Sequence, residues 1–94
     1  MRFAKDPSAN KDYGFDYHLW MSSGDTISTS TWSASTATGS ASTCSITSQS
    51  ITSHTTVCFV GSGTLGSNDK ITNRIVTAQG RTEEKSFDLQ IINL

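Results

Sequence analysis

Apolar and polar residues alternate most regularly near the C-terminal end of the chain, over residues 71–92. Two runs with a period of two residues flank a short charged turn that starts with Gly80. Because successive side chains of a strand point to opposite faces, this pattern predicts a half-buried antiparallel hairpin. Asn73 falls on the buried face of the first strand. The apolar residues of that face in the two strands are Ile71, Ile75, Phe87, Leu89 and Ile91.

A similar alternation predicts two strands in the N-terminal third. Residues 26–33 are rich in β-branched threonine, with Ile27 as the inward anchor. Trp32 falls out of register with Ile27, which indicates a β-bulge between them. The other strand covers residues 13–19, where the side chains sharing one face are Tyr13, Phe15, Tyr17 and Leu19.

The middle of the chain is less well specified. Residues 55–60 predict a central strand, because their continuous apolar character suits burial on both faces or a place near the sandwich centre. Residues 61–69 contain three glycines and predict turns with positive φ. Residues 34–53 are nearly all Ser, Thr, Ala and Gly, so we expect short edge strands and mobile loops there. The best strand candidate among them is 44–46, followed by Ile51.

These elements predict one all-β domain. Its expected fold is an immunoglobulin-like or fibronectin-like antiparallel β-sandwich of about six to seven short strands. Residues 1–12 are mostly polar and contain Pro7, which disfavours helix at the residue before it. We therefore expect residues 1–12 to form an extended N-terminal arm and residues 13–94 to form the single sandwich domain.

Composition and charge exclude several classes of function. Hydrophobic residues make up 34% of the 94 residues, a low share that predicts a marginal core stabilised by neighbouring molecules. The formal net charge is −1 and the basic residues are scattered, so neither a nucleic-acid stripe nor a polybasic membrane patch is expected. No apolar run is long enough to span a bilayer. The N-terminal residues lack the apolar stretch of a signal peptide, so we expect the chain to be made and to mature in the cytoplasm.

Neither the cysteines nor the histidines form a recognisable site in the sequence. Without a secretion signal, Cys44 and Cys58 are expected to be reduced, small apolar residues, with a bridge between adjacent strands as the less favoured alternative. His18 and His54 do not supply a recognisable set of metal ligands, and we expect both at the surface or at an edge. We therefore predict no metal ion and no cofactor.

No catalytic constellation is recognisable, so we predict that the protein is not an enzyme. Asp16 and Asp88 alternate with core residues and should face solvent, and no nucleophile elbow accompanies the histidines. Asp25, which follows Gly24 in a turn, is expected to cap its own backbone. Residues 61–66 fit the pattern Gly-x-Gly-x-x-Gly, but they lead into a strand and therefore offer no helix N-terminus for a phosphate.

Aromatic and arginine side chains are the remaining candidates for binding. Arg81 lies in the hairpin turn, where it is well placed for a carboxylate within or between subunits, and Arg74 is a second candidate. Aromatic residues concentrate in the N-terminal third, where they can line a platform for a sugar or a partner protein, with ordinary packing as the alternative. These aromatic residues are Tyr13, Tyr17, Trp20 and Trp32.

Short motifs also lie at both ends of the chain. The N-terminal motifs are Lys5-Asp6-Pro7, Asp12-Tyr13-x-Phe15-Asp16-Tyr17-x-x-Trp20-Met21 and Gly24-Asp25-Thr26-Ile27. The C-terminal motifs are Thr72-Asn73-Arg74-Ile75-x-Thr77 and Gly80-Arg81-Thr82-x-x-x-Ser86-Phe87. Together they resemble small virion proteins of tailed phages, the phage fiber–tail adaptor proteins, which have an immunoglobulin-like fold. Tyr17 stands where Trp is commoner in that family, and residues 34–53 show no matching motif.

The resemblance implies a structural virion protein of a tailed bacteriophage. Such a protein is an adaptor at the tail/fiber or head–tail junction and acts through contacts with other phage structural proteins of the tail, fiber, connector or capsid. It also implies copies of the chain in a symmetric ring or shell, placed in the virion after assembly in the cytoplasm of the bacterial host. The alternatives are a capsid decoration protein and a carbohydrate-binding, adhesin-like module that recognises a surface glycan.

We predict that the arm and the region around Tyr17 and Trp20 carry the assembly contacts. No nucleic acid and no membrane are expected as partners. The predicted partner-binding residues are Lys5, Asp6, Pro7, Tyr13, Tyr17, Trp20, Arg74 and Arg81.

Overall fold

The computed structural model describes residues 2–21, 23–36 and 42–93 of the chain. Within these ranges the backbone forms seven β-strands and no helix, and accordingly none that could cross a membrane. The strands are β1 Arg2–Lys5, β2 Lys11–Asp16, β3 Ile27–Thr36, β4 Cys44–Ile51, β5 Thr55–Ser62, β6 Asn68–Thr77 and β7 Thr82–Ile91.

The strands form two sheets, which confirms the predicted all-β sandwich. The larger sheet has the order β1-β7-β6-β3 and the smaller sheet the order β2-β5-β4. All neighbours are antiparallel except β1 and β7, which run parallel. This order is compatible with an immunoglobulin-like arrangement, in which the second, fifth and fourth strands face the third, sixth and seventh.

The core lies between the two sheets and consists mainly of the residues that alternation placed inward. Phe15 of β2 stacks on Trp32 of β3, with ring centroids 5.7 Å apart and the planes 6° from parallel. These rings bring the smaller and larger sheets into contact, and removing such apolar surface from water is the main force holding a sandwich together. The buried apolar residues are Phe15, Tyr17, Ile27, Trp32, Cys58, Val60, Ile71, Ile75, Phe87, Leu89 and Ile91.

The C-terminal hairpin matches its prediction closely. Strands β6 and β7 pair antiparallel, with Ile71 opposite Phe87. The turn between them is closed by the Thr77 amide, which donates to the Arg81 carbonyl at 2.8 Å. Gly80 in this turn has φ 86°, a left-handed conformation that glycine adopts without steric cost.

The predicted bulge in β3 is confirmed, because its register against β6 shifts between Ile27 and Thr29. Strand β5 is the central strand of the smaller sheet, as predicted near the sandwich centre. Burial on both of its faces is not observed, since Phe59 points outward and is 38% exposed. Strand β4 forms an edge of this sheet, as expected, but it is longer than the three residues predicted as its best segment. Residues 37–41 of the polar middle lie outside the described ranges.

The first predicted strand is shorter than its alternation suggested. Strand β2 ends at Asp16, and the prediction that Leu19 faces the core is wrong, since this side chain is 98% exposed. The Asp16 carboxylate accepts the amide of His18 at 2.9 Å, a local bond that competes with continued strand pairing. The Tyr17 carbonyl then accepts the amides of Trp20 and Met21, each at 3.0 Å, and so closes a turn.

Residues 2–5 form the edge strand β1, which pairs with residues 88–91 of β7. Lys5 at the end of this strand is fully buried. The division of the chain into an arm of residues 1–12 and a domain of residues 13–94 stays a prediction. Because β1 contributes to the larger sheet, we expect its removal to lower the stability of the sandwich.

Candidate partner-binding site at the loop end

Three connections meet at one end of the sandwich, which we call the loop end. They are residues 17–26 between β2 and β3, residues 52–54 between β4 and β5, and residues 78–81 between β6 and β7. The Ala78 amide donates to the Thr26 carbonyl at 2.9 Å and thereby joins the first and third connections. The loop end is therefore one surface built from both sheets.

Backbone hydrogen bonds also tie the first connection to the second. The Tyr17 amide donates to the His54 carbonyl at 2.8 Å, and the Ile27 amide donates to the Ser53 carbonyl at 2.9 Å. Both ends of the β2–β3 connection are thus held against the same short turn. Fixing a loop in this way lowers the conformational entropy that is lost when the loop binds a partner.

The most exposed large apolar side chains of the loop end lie on one turn, residues 17–21, which we call the Leu19–Trp20 turn. Leu19 is 98% exposed and Trp20 is 38% exposed. A single exposed leucine is ordinary, but an adjacent leucine and tryptophan on a tied backbone form a compact apolar surface. Tryptophan is also enriched among the residues that contribute most to protein–protein binding.

A buried network of polar side chains supports this turn from inside. The Tyr17 hydroxyl donates to Asn73 Oδ1 at 2.8 Å, and Asn73 Nδ2 donates to Ser30 Oγ at 2.8 Å. Ser30 Oγ lies 2.7 Å from Thr56 Oγ1, which also accepts from Trp32 Nε1 at 2.9 Å. The network joins the two sheets, and a satisfied buried network of this kind specifies one arrangement of the core.

The Tyr17 ring connects the buried network to the partly exposed Trp20 ring. The centroids of the Tyr17 and Trp20 rings lie 6.2 Å apart in an edge-on contact, and Lys85 Nζ lies over the Tyr17 ring, 5.1 Å from its centroid. Burial, followed by the negative charges of Glu83 and Glu84, raises the pKa of Tyr17 to about 12. The hydroxyl therefore stays protonated at neutral pH and keeps its hydrogen bond to the core.

A buried carboxylate holds the third connection in place. Asp25 is fully buried, and it accepts the amides of Thr26 at 2.9 Å and of Gln79 at 3.2 Å, together with Nη1 of Arg81 at 3.4 Å. Burial acts to raise the pKa of Asp25. The hydrogen bonds from the Thr77 hydroxyl, the two amides and the guanidinium outweigh this effect, so the pKa is lowered. Asp25 thus does more than cap its own backbone, because it also ties down the β6–β7 turn.

Arg81 makes the carboxylate contact that its position predicted, although the partner is Asp25 and not one of the glutamates that follow it. Its Nη1 also donates to Gln79 Oε1 at 2.7 Å. The side chain is 49% exposed, so a guanidinium with five N–H donors lies partly open to a partner.

The predicted residues of the N-terminal segment lie outside the loop end. Lys5 points inward, and its Nζ donates to the carbonyls of Asp6 and Ala9, each at 2.8 Å. The Asp6 carboxylate accepts the amide of Ser8 at 2.8 Å, within a turn that contains Pro7. Burial therefore gives Lys5 a structural role, because its ammonium stabilises the turn that follows β1.

Tyr13 and Arg74 also lie away from the loop end. The Tyr13 ring packs against Phe3 and Phe87, with centroids 5.3 and 4.9 Å apart. Its buried hydroxyl has no hydrogen-bond partner among the described residues. Arg74 is exposed and lies opposite Glu84 in the pairing of β6 with β7. Their roles as contact residues stay predictions.

Of the predicted partner-binding residues, the structure brings Tyr17, Trp20 and Arg81 together at the loop end. Tyr17 is fully buried and positions the turn, while Trp20 and Arg81 reach the surface. Leu19, which the strand period predicts on the same face as Tyr17, is the further exposed residue of this surface. The available signal was the run of apolar residues 19–21, which breaks strand alternation directly after Asp16.

Comparison with known proteins identifies a family that the chain resembles. The family model described as podophage GP4 fiber-tail adaptor protein gp77 matches residues 5–90. No curated protein matches the chain.

Proposed function

The chain belongs to the podophage GP4 fiber-tail adaptor gp77 family, and from this membership we propose how it works as an adaptor. It is a structural component of the virion of a tailed phage, and it joins tail and fiber by protein–protein contacts at the loop end. The observation that carries the proposal is the Leu19–Trp20 turn, where an almost fully exposed leucine sits on a backbone fixed by buried contacts.

The energetics of this turn favour binding. Full burial of a leucine side chain contributes about 1.5–3 kcal/mol, and truncation of a tryptophan that acts as a binding hot spot costs about 2 kcal/mol or more. The Tyr17 hydroxyl and carbonyl already fix the turn in the unbound domain. Little additional ordering is needed on association, so more of the burial energy remains as affinity.

Arg81 adds a directional contact beside this apolar surface. Its charge is partly compensated by Asp25, which holds the side chain in place. A partner carboxylate that reached the exposed guanidinium would form a charge-assisted hydrogen bond. We therefore expect the partner surface to combine an apolar pocket with an acidic residue.

Self-association stays part of the proposal. Among the described residues β1 pairs with residues 88–91 of β7, and residues 82–87 have no strand paired on that side. Glu84 and Lys85 place charges on this edge, a common protection against unspecific strand pairing. A second copy with complementary charges can still dock there. The mass of the purified protein in solution, measured over a range of concentrations, tests for such oligomers.

The main experiment compares two exposed leucines in turns at opposite ends of the sandwich. Leu19→Asp changes the loop end, while Leu65→Asp changes the β5–β6 turn, where Leu65 is 57% exposed. Each variant is supplied to a phage that lacks the wild-type gene. Purified particles are then analysed by quantitative mass spectrometry, with copy number scaled to the portal protein.

We expect Leu19→Asp to lower the copy number at least tenfold and Leu65→Asp to leave it unchanged, since an aspartate cannot fill an apolar pocket without losing hydration. Equal melting temperatures of the two isolated variants exclude a folding defect. Normal incorporation of folded Leu19→Asp would show that the loop end is not the adaptor surface. A large excess of wild-type copies over the portal protein would instead indicate capsid decoration.

The carbohydrate-binding alternative has less support from the geometry. Of the four aromatic residues expected to form a platform, Tyr17 and Trp32 are buried and Tyr13 packs against the core. Trp20 alone remains partly exposed at the loop end. A single edge-on tryptophan offers a small stacking surface for a sugar, so we do not propose this function.

A further inference from the structure

The two histidines of the chain lie side by side at the loop end, although 35 residues separate them in sequence. The ring centroids of His18 and His54 are 4.8 Å apart, and the ring planes meet at 80°. They line an open cavity of about 370 Å³ together with Met21, Ser23 and Gly24. Family membership assigns no role to this cavity.

The backbone on both sides of the cavity is fixed before any ligand arrives. The His18 amide donates to the Asp16 carboxylate at 2.9 Å, and the His54 carbonyl accepts the Tyr17 amide at 2.8 Å. The two imidazoles therefore approach each other from adjacent, tied positions. A site that is already ordered binds more tightly because little entropy is lost on binding.

We propose that His18 and His54 together bind one divalent transition-metal ion of the Zn²⁺ or Cu²⁺ class. Imidazole nitrogens are preferred ligands of these ions and bind them at about 2.0–2.1 Å. Two imidazoles that share one ion at this distance have ring centroids roughly 4.5–5.3 Å apart. The observed separation of 4.8 Å falls within this range.

The other groups around the cavity define the class of metal. Met21 also lines the cavity, and a thioether near the imidazoles favours copper and zinc over hard cations. Ca²⁺ and Mg²⁺ are usually bound through carboxylate oxygens, and no carboxylate is among the described residues that line the cavity. The described residues also hold no group of three or more His, Cys, Asp or Glu side chains that could bind a metal ion together. The protein ligands are thus the two imidazoles, and solvent or a partner side chain completes the coordination.

The cavity is accessible to an incoming ion. A Cβ atom added at Gly24 would meet no other atom within 4 Å, so this wall faces open space. An ion held between the histidines would join the β2–β3 connection to the β4–β5 turn, next to the Leu19–Trp20 turn. Metal binding would therefore stabilise the loop end, and the inference stands independently of the adaptor role.

The test uses the whole wild-type protein with zinc chloride, followed by nuclear magnetic resonance of the imidazole nitrogens. Because the chain contains two histidines, every imidazole signal belongs to the pair. We expect both rings to shift together and to saturate at one Zn²⁺ per chain, with a rise in melting temperature as Zn²⁺ is added. Copper sulfate should give an electron paramagnetic resonance spectrum with splitting from two nitrogens.

Single variants assign the ligands. His18→Asn and His54→Asn should each weaken Zn²⁺ binding at least tenfold, whereas Cys44→Ser, which removes a partly buried thiol, should leave it unchanged. Copper splitting from one nitrogen, zinc shifts confined to one ring, or full binding by His18→Asn would overturn the proposal. Because the nuclear magnetic resonance and paramagnetic measurements use the wild-type protein, they decide the question even if a variant fails to fold.

Discussion

The C-terminal hairpin and the loop end are held together in different ways. The C-terminal hairpin buries the apolar side chains of Ile71, Ile75 and Phe87 at inward positions, and the polar Asn73 between the two isoleucines joins the buried network. At the loop end, Tyr17 and Asp25 each make specific polar contacts with residues more than 50 positions away. The hairpin therefore contributes stability mainly through buried apolar area, while the loop end obtains its defined shape mainly through individual polar contacts.

This difference explains why the two regions tolerate change differently. A hairpin residue that faces outward can be replaced with little effect, because the apolar face is unchanged. At the loop end the loss of a single polar atom can lower stability, because it leaves a buried donor or acceptor without a hydrogen bond. The cost in free energy is comparable to that of a whole hydrogen bond. Four substitutions or conditions test this contrast, in order of decreasing expected effect.

Ile75→Ala in the hairpin should have the largest effect. The side chain is fully buried, so its loss leaves a cavity and lowers the free energy of unfolding by about 3–4 kcal/mol. Val76→Ala, on the other face of the same strand, is the control and should cost less than about 1 kcal/mol. Urea unfolding followed by tryptophan fluorescence measures both. Similar losses in the two variants would contradict the alternation rule.

Gly63→Ala should have the next largest effect, because Gly63 packs against the hairpin. Its φ is 110°, and an added Cβ would lie 3.0 Å from Ile91 Cδ1 and 3.2 Å from Cys44 Sγ. Strain and crowding together should lower the free energy of unfolding by about 2–3 kcal/mol. Gly24→Ala at the loop end, with φ 81° and no neighbour within 4 Å, should lose only about 1 kcal/mol. Equal losses, measured by thermal unfolding, would show that crowding against the hairpin has no effect.

Tyr17→Phe tests the loop end directly. Removal of the hydroxyl leaves Asn73 Oδ1 without its donor, so the free energy of unfolding should fall by about 1–2 kcal/mol. Tyr13→Phe is the matched control, because its buried hydroxyl has no partner among the described residues, and it should be neutral or slightly stabilising. If both variants behaved alike in urea unfolding, the buried network would not be contributing to stability.

The smallest effect should appear on acidification. The lowered pKa of Asp25 means that its contribution is fully present above the unfolded value of 3.8 and is lost as pH falls through the lower folded value. Asp25→Asn should remove this part of the pH dependence and reduce stability at neutral pH. Asp88→Asn, at an exposed position, should leave the pH dependence unchanged. Urea unfolding at neutral pH and at several values below 4 measures the difference.

The sequence predicted the elements that follow a periodic rule. The hairpin, the bulge before Trp32 and the central β5 strand could all be predicted, because neighbouring residues carry the information. Leu19 was misplaced for the same reason. Its spacing from Tyr17 continues the two-residue period of the strand. The strand nevertheless ends at Asp16, whose carboxylate accepts the His18 amide.

The parts that could not be predicted depend on contacts across long stretches of chain. Nothing near Tyr17 indicates that its hydroxyl meets Asn73, and nothing near His18 indicates that His54 lies beside it. The burial of Lys5, predicted as a partner-binding residue, also depends on the fold, because two local carbonyls accept hydrogen bonds from its ammonium. Trp20 and Arg81 were identified as candidates by residue type, but their common location needed the fold.

The parallel pairing of β1 with β7 has a mechanical consequence. Arg2 lies beside Asp88 and Lys5 beside Ile91, so a pull that draws Arg2 and Ile91 apart along the strands loads this ladder in shear. Its slanted hydrogen bonds must then yield together instead of opening one after another. Forced unfolding is governed by the height of such a barrier, which an optical trap can record with handles at the two termini. An adaptor built in this way would resist tension along its strands better than force that peels β1 from the edge.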